Sequence, residues 1–242
     1  RHTRSLLQAF GIATPLVSLH EHNEAARLGP LVDRLRRGEA VALVSDAGTP
    51  LVSDPGFALV RAALDAGMRV TPIPGATAAV TALSASGLPT DRFAFEGFLP
   101  SRSGARKNAL AALSREARTL IFYEAPHRLN EVLLEMAEVL GAERRASIGR
   151  ELTKRFETMY YGTLAELAER STQDPDMSRG ELVIVVAGHA GAEAPSLSVD
   201  VDKVLKTLLE ELPAAQAAKL AARITGEKRY TMNERAEHLQ KK

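Results

Sequence analysis

Four stretches of this chain combine small, rigid and titratable residues at points where an apolar run ends. The first is Ser45-Asp46-Ala47-Gly48-Thr49-Pro50-Leu51-Val52-Ser53-Asp54-Pro55-Gly56. Gly48 permits a positive φ and a close approach of backbone to a ligand, while Pro50 and Pro55 fix the exit path. The second, Pro72-Ile73-Pro74-Gly75-Ala76-Thr77-Ala78-Ala79, stops a strand at Pro-Gly and opens a helix whose exposed amide groups suit a carboxylate. The third is Phe122-Tyr123-Glu124-Ala125-Pro126-His127-Arg128, and the fourth is Arg150-Glu151-Leu152-Thr153-Lys154. These two bring carboxylates, a histidine and cations, which are the groups that grip anions and move protons. Ligands of open α/β sheets bind beyond the carboxyl ends of strands, so the four stretches can converge on one ligand. A structural turn with incidental glycine and proline is the alternative for the first. Neither half of the chain carries G-x-G-x-x-G after a strand, and no Walker lysine loop occurs, which argues against a dinucleotide and against ATP-driven phosphoryl transfer.

The elements that must position these loops alternate. Residues 3–10 read as a helix, 16–19 as extended, 23–37 as a helix, and 40–44 as a strand apolar enough to be buried on both faces. A helix over 55–66 follows, with Asp54 as its cap and Pro55 in its first position. Then come a strand over 70–73 and a helix over 76–86, completing a βα repeat with parallel strands. An α/β domain normally begins with a strand, whereas this chain opens on Arg1 and a helix, so a strand and its loop are expected upstream. The second half predicts strands at 93–98, 119–123, 145–150, 158–162 and 182–187, with helices at 105–115, 126–140 and 164–170. Two consecutive strands without a helix between them, near 145–162, imply a partly antiparallel sheet. Residues 190–196 read as a linker to an all-helical tail. Within that tail, helices at 214–224 and 231–239 flank Thr225-Gly226. Such a pair can carry nucleic acid through Lys219, Arg223, Lys228, Arg229 and Arg235, or serve as a solvated helical cap. The expected organisation is a two-lobed α/β fold: an N-terminal lobe over 1–90 lacking its first strand and mainly parallel, a mixed-sheet lobe over 91–189, and a small helical domain over 197–242.

Composition narrows the function. With 242 residues and 45% apolar content the chain buries a sizeable core. Thirty-one basic residues against thirty acidic give a net charge of +1, so contact with nucleic acid must come from a local patch. The lack of cysteine excludes disulfides and thiolate catalysis, and with no signal peptide the cytoplasm is the expected compartment. No apolar run is long enough to span a bilayer, and the six histidines show no pairing suited to zinc.

The segments 45–56, 72–78, Phe95-Glu96-Gly97-Phe98-Leu99-Pro100, 122–128 and 150–154, in that order, closely resemble the tetrapyrrole methylase superfamily. The resemblance covers residues 1 to about 189. Within the superfamily they look like the branch that methylates a cytidine 2′-hydroxyl in 16S ribosomal RNA of the small ribosomal subunit. Arg1-His2-Thr3-Arg4 is similar to the end of the family's first conserved segment, whose preceding strand and Thr-Pro-Ile-Gly-Asn-Leu loop are absent here. The resemblance implies S-adenosylmethionine as cofactor, held in a cleft between lobes, and a homodimer. Carried onto this chain, Asp46, Ala47, Leu51 and Val52 would line one wall, Ala76, Thr77 and Ala78 another, and Tyr123 and Leu152 would close the pocket. Methyl transfer to a ribose hydroxyl requires positioning and removal of a proton. Glu124, His127 and Glu151 are the candidate catalytic residues; burial at a strand end would raise the Glu124 pKa, and the alternative is a salt bridge from Glu124 to Arg128 or Arg150. Arg128, Arg150 and Lys154 suit the phosphates flanking the target. The basic stretch 99–107 is expected to be flexible and to contact RNA phosphates through Arg102, Arg106 and Lys107, with a mobile lid as the alternative. Two other readings stay open: methylation of a tetrapyrrole precursor or a protein on the same fold, and a non-catalytic RNA-binding module.

Overall fold

The structure is a computed structural model and describes residues 2–20, 22–191, 201–225, 227 and 229–240. It divides into two compact units, Arg1–His189 and Ala190–Lys242. The larger is built on a five-stranded mixed sheet of strand order β1-β2-β5-β3-β4. The strands are β1 (Phe93–Phe98), β2 (Thr119–Glu124), β3 (Arg145–Arg150), β4 (Thr158–Thr163) and β5 (Leu182–Val186). β1 runs parallel to β2, and β5 is antiparallel to both β2 and β3. The connection from β3 to β4 carries no helix, and these two pair antiparallel as a hairpin-like unit.

The period-2 alternation of β2 and β5 sorts their side chains onto two faces. Leu120, Phe122, Ile184 and Val186 face one core. That core is covered by α5 (Ser103–Ala112), α6 (Leu129–Leu140) and α7 (Leu164–Gln173), and Leu129, Val132, Leu133 and Met136 of α6 are fully buried in it. Ile121, Val183 and Val185 face the other side, where α4 (Ala78–Ala85) supplies Ala79, Ala82 and Leu83. With apolar layers on both faces, the two central strands are continuously hydrophobic, as covered strands must be. α7 begins with a complete capping box: the Thr163 hydroxyl accepts from the Glu166 N–H, and the Glu166 carboxylate accepts from the Thr163 N–H.

The first ninety residues form α1 (His2–Ala9), α2 (Glu24–Arg36), α3 (Phe57–Asp65) and α4. The segments expected as strands, 16–19, 40–44 and 70–73, carry no strand pairing. An apolar run becomes a strand only where a second run offers hydrogen-bond partners along its edge, and these three have none among the described residues. Val17, Val44, Val70 and Ile73 are correspondingly exposed. A smaller cluster of Leu31, Val32 and Leu59 joins α2 to α3. The start of α3 also differs from expectation: its cap position is Gly56, at φ 125°, with no side-chain cap from Asp54. Glu24 of α2 accepts from the Gly56 N–H at 3.0 Å and fixes the entry to the helix.

The smaller unit contains α8 (Val201–Glu211), α9 (Ala214–Thr225) and α10 (Arg229–Gln240). They pack on Leu205, Ala217, Ala218, Ala221, Met232 and Ala236; the small alanines let the helices approach closely. Lys219 and Arg223 are exposed, and Arg235 pairs with Asp202 at 3.3 Å. Most of the expected linker, together with Gly226 and Lys228, lies outside the described residues. Among the described residues no helix is long and apolar enough to cross a membrane.

Candidate functional site

One edge of the sheet collects the predicted loops. β1, β2 and β3 all run toward it, so their carboxyl ends at Phe98, Glu124 and Arg150 lie side by side, and β4 and β5 begin there at Thr158 and Leu182. Glu124, Leu182, Arg150 and Thr158 occupy one row across the strands. Glu124 and Arg150 are two strand spacings apart, roughly 10 Å.

The loops of the first ninety residues reach the same edge through specific contacts. The Tyr123 hydroxyl, at the end of β2, accepts from the Ala79 N–H at 3.3 Å and satisfies one of the open amides of α4. Ala78, Tyr123 and Leu152 then pack on one apolar cluster, joining the second, third and fourth loops. The Thr49 hydroxyl donates to the Ala76 carbonyl at 3.1 Å, which ties the first loop to the second. Ser45 donates to the carbonyls of Ala47 and Gly48, each at 3.1 Å, and pins that loop from within. Leu51 and Ser53 hold positive φ values of 72° and 60°, as do Glu151 and Thr153 at 49° and 65°. Non-glycine residues in this region concentrate where backbone strain serves a site.

The cofactor-side residues differ in exposure. Asp46, Ala47 and Ala76 are exposed, whereas Leu51, Val52, Thr77, Ala78, Tyr123 and Leu152 are half-buried. Asp46 accepts from the Thr3 hydroxyl at 3.4 Å. Burial pushes the Asp54 carboxyl up, and the Asp46 charge adds to the effect, so the first loop holds two carboxylates close enough to repel. Residues 45–56 and 72–79 contain no lysine or arginine. The wall is therefore apolar and anionic, which suits a ligand with an apolar body and positive charge.

At the end of β2, Glu124 is only 3% exposed. It accepts from the Ala125 N–H at 2.7 Å and faces the Arg128 guanidinium, whose Nη2 donates to it at 3.3 Å. Burial nevertheless holds its pKa above the ordinary glutamate range, outweighing the Ala125 hydrogen bond and the nearby positive charges. His127 is exposed, within the short 3₁₀ turn Pro126–Arg128, and its side chain makes no hydrogen bond among the described residues. Glu151 is a settled anion. Its carboxylate accepts from the Glu181 N–H at 2.8 Å and from Lys154 at 2.9 Å, and its pKa is lowered by the first and then the second of these.

Several sequence expectations change. Arg106 is fully buried and cannot reach a phosphate: its guanidinium is ion-paired with Glu135 and, at 2.6 Å, with Glu131. The stretch 99–107 is not a flexible loop either, since α5 begins at Ser103. Arg106 Nη1 donates to the Ser101 carbonyl at 3.1 Å, and Arg128 Nη2 to the Leu99 carbonyl at 2.9 Å, so two arginines clamp the turn before α5. Lys107 pairs with Glu138 at 2.6 Å, and Arg102 is exposed without an ion pair among the described residues. Arg150 is also buried, donating to the Arg179 and Phe156 carbonyls at 3.0 Å each, which leaves its anchoring role structural. Lys154 is shared between Glu151 and Glu181. Two features were missed in the sequence. Phe95 and Phe98 pack edge-on against Tyr123, with centroids at 4.8 and 5.7 Å, and their spacing in Phe93-x-Phe95-x-x-Phe98 was a usable signal. The exposed Phe156 next to Arg179 and Asp176 had none, because its neighbours come from a loop some twenty residues away.

With this geometry in place, similarity to known proteins identifies the lineage. The family described as tetrapyrrole (corrin/porphyrin) methylases matches residues 2–168, and that described as RsmI C-terminal HTH domain matches residues 195–238. The chain is 52% identical to ribosomal RNA small subunit methyltransferase I of Pseudomonas aeruginosa, covering 98% of this chain and 84% of that protein. It is 53% identical to the protein of the same description from Xylella fastidiosa strain Temecula1, covering 96% and 85%. Among solved structures it is similar to the methyltransferase CobJ, with a TM-score of 0.53 and 23% identity over 69% of this chain and 72% of that one, a likeness of fold alone. The chain belongs to the tetrapyrrole (corrin/porphyrin) methylase family and, within it, to the branch of ribosomal RNA small subunit methyltransferase I.

Proposed function

We propose that this chain transfers a methyl group from S-adenosylmethionine to a cytidine ribose 2′-hydroxyl of 16S ribosomal RNA in the small subunit, in the cytoplasm. The observation that carries this reading is the convergence of all four loops on one sheet edge, where an apolar, anionic wall and a buried glutamate of raised pKa share the end of β2. The wall fits S-adenosylmethionine: Asp46 and Asp54 favour its positive charges, while Ala78, Tyr123 and Leu152 offer apolar surface to its adenosine. When bound, the cofactor supplies a methyl carbon activated by its positive sulfur.

The chain's own residues supply position and proton removal. A Glu124 carboxylate oxygen would accept the proton that the ribose hydroxyl loses as its oxygen takes up the methyl group that the cofactor would supply. A raised pKa makes Glu124 a stronger proton acceptor than an ordinary glutamate. Arg128 and the Ala125 N–H hold that carboxylate in place. Glu151, held as an anion by Glu181 and Lys154, fixes the loop and leaves the proton to Glu124. Arg102 is the exposed cation of the 99–107 turn offered to RNA phosphates, and the exposed Lys219 and Arg223 of the helical unit are offered likewise. Exposed Leu6, Phe10, Ile12 and Leu16 support assembly as a homodimer through the first residues.

The test is transfer of tritium from labelled S-adenosylmethionine to purified small ribosomal subunits, followed by nuclease mapping. The expected result is label on the ribose of one cytidine of 16S RNA. Label entering a ribosomal protein or a tetrapyrrole instead overturns the substrate.

A further inference from the structure

A cavity of about 360 Å³ lies at the same sheet edge, beside the methyl-transfer site and separate from the apolar wall. It is lined by Arg150, Glu151, Phe156, Asp176, Arg179 and Gly180. Its size falls in the range of small-ligand sites. The cavity is a built one, because the single buried side chain of Arg150 ties both of its rims. Arg150 Nε donates to the Arg179 carbonyl on one rim, and Nη1 donates to the Phe156 carbonyl on the other. Its Nη2 is committed to no protein acceptor among the described residues.

Glu151 braces the rims as well, through the Glu181 N–H and Lys154. Gly180, at φ 77°, lies so close to the Glu151 carboxylate that a side chain there would collide with it. The opening presents Phe156, 59% exposed, with the Arg155 guanidinium over one face of its ring, 5.5 Å from the centroid. Arg155 makes no ion pair among the described residues, and Arg179 is held at the rim by Asp176 at 2.9 Å. An exposed aromatic face flanked by arginines is the arrangement on which an unpaired base stacks while its phosphate meets a cation.

We propose that this cavity holds an unpaired nucleotide of the RNA next to the one being methylated, its base stacked on Phe156 and its phosphate toward Arg155. The inference rests on the reading of the substrate as RNA. The spacing supports it: Arg150, at the cavity, lies roughly 10 Å from Glu124 across the sheet, a distance within reach of neighbouring nucleotides of an extended strand.

The experiment measures binding of a fluorescent oligocytidylate of about ten nucleotides by anisotropy. The proteins are the full chain and its Phe156→Ala, Phe156→Tyr and Arg155→Ala variants, with S-adenosylmethionine affinity measured by calorimetry on each. Phe156→Ala is expected to bind the oligonucleotide roughly tenfold more weakly, and Phe156→Tyr to match the wild type, since a tyrosine ring still stacks. Arg155→Ala is expected to lower the salt slope by about one. Cofactor affinity is expected to stay unchanged throughout. Equal affinity of Phe156→Ala and wild type, or no oligonucleotide binding by the wild type, while small subunits are still methylated, overturns the pocket and leaves the RNA reading intact. Loss of both RNA binding and subunit methylation in the wild type removes the RNA reading, and the pocket with it.

Discussion

Arg106 with Glu135 and Arg128 with Glu124 are the same chemical pair in two regions of one unit, and both arginines also hold the 99–101 turn. Their carboxylates behave in opposite ways. Glu135 receives Nε and Nη2 of Arg106 together, with the Ser103 hydroxyl at 2.6 Å, and these donors hold its pKa below the ordinary range despite burial. Glu124 is at least as deeply buried, but Arg128 Nε, 3.2 Å away, is not aligned to donate to it, and only Nη2 does, at 3.3 Å. Burial therefore prevails and the pKa rises. The difference teaches that desolvation and the number of aligned donors together, more than the presence of a cation, decide whether a buried glutamate is a fixed anion or an exchangeable proton site.

If Arg106–Glu135 is purely structural, removing its carboxylate has the largest effect. Glu135→Ala leaves a fully buried guanidinium with only Glu131, whose side chain is mostly exposed, as counter-charge. The expected loss is about 3 kcal/mol in urea denaturation, with S-adenosylmethionine affinity of the folded fraction unchanged. A loss below about 1 kcal/mol would show that Glu131 neutralises Arg106 alone, and Glu135 would then not be the fixed anion that Glu124 is compared with.

The site-side pair predicts the reverse. Glu124→Gln keeps the shape and an oxygen to accept from the Ala125 N–H, so folding and cofactor affinity are expected to hold. The turnover number for subunit methylation is expected to fall about a hundredfold, because a positioned base contributes on that order. A rate within about threefold of wild type would assign Glu124 to positioning Arg128 and remove it from proton transfer.

Much of this architecture was legible, and the parts that were not share a cause. The apolar runs 119–123 and 182–187 announced themselves as strands because their own residues are buried on both faces. Residues 40–44 and 70–73 carry the same local pattern, yet a strand also needs a partner edge, which local periodicity does not encode. Glu124 was placed correctly at a strand end, since Phe122-Tyr123-Glu124-Ala125-Pro126 contains both the strand and its terminator. Arg102, Arg106 and Lys107 read as one basic stretch facing solvent. The carboxylates that claim two of them, Glu135 and Glu138, arrive about thirty residues later on α6. The cavity at Phe156 stayed hidden for the same reason: its two rims are joined by Arg150 through backbone carbonyls, and carbonyls leave no trace in sequence.

The smallest expected effect is in pH dependence, and it sharpens the comparison because the signs oppose. Glu135 binds protons less readily when folded than when unfolded, so its contribution to stability is present above its unfolded pKa and is lost as pH falls through the lower folded value. Glu124 binds protons more readily when folded, so its contribution is present below its unfolded pKa and is lost as pH rises through the raised folded value. Denaturation of wild type, Glu135→Gln and Glu124→Gln between about pH 4 and pH 7 separates the two. The stability advantage of wild type over Glu135→Gln should shrink toward the acid end, whereas that over Glu124→Gln should shrink, or turn negative, toward neutrality. Parallel curves for the two variants would mean that the aligned donors of Arg106 and the single donor of Arg128 fix their carboxylates alike, and the proton-accepting role of Glu124 would lose its physical basis.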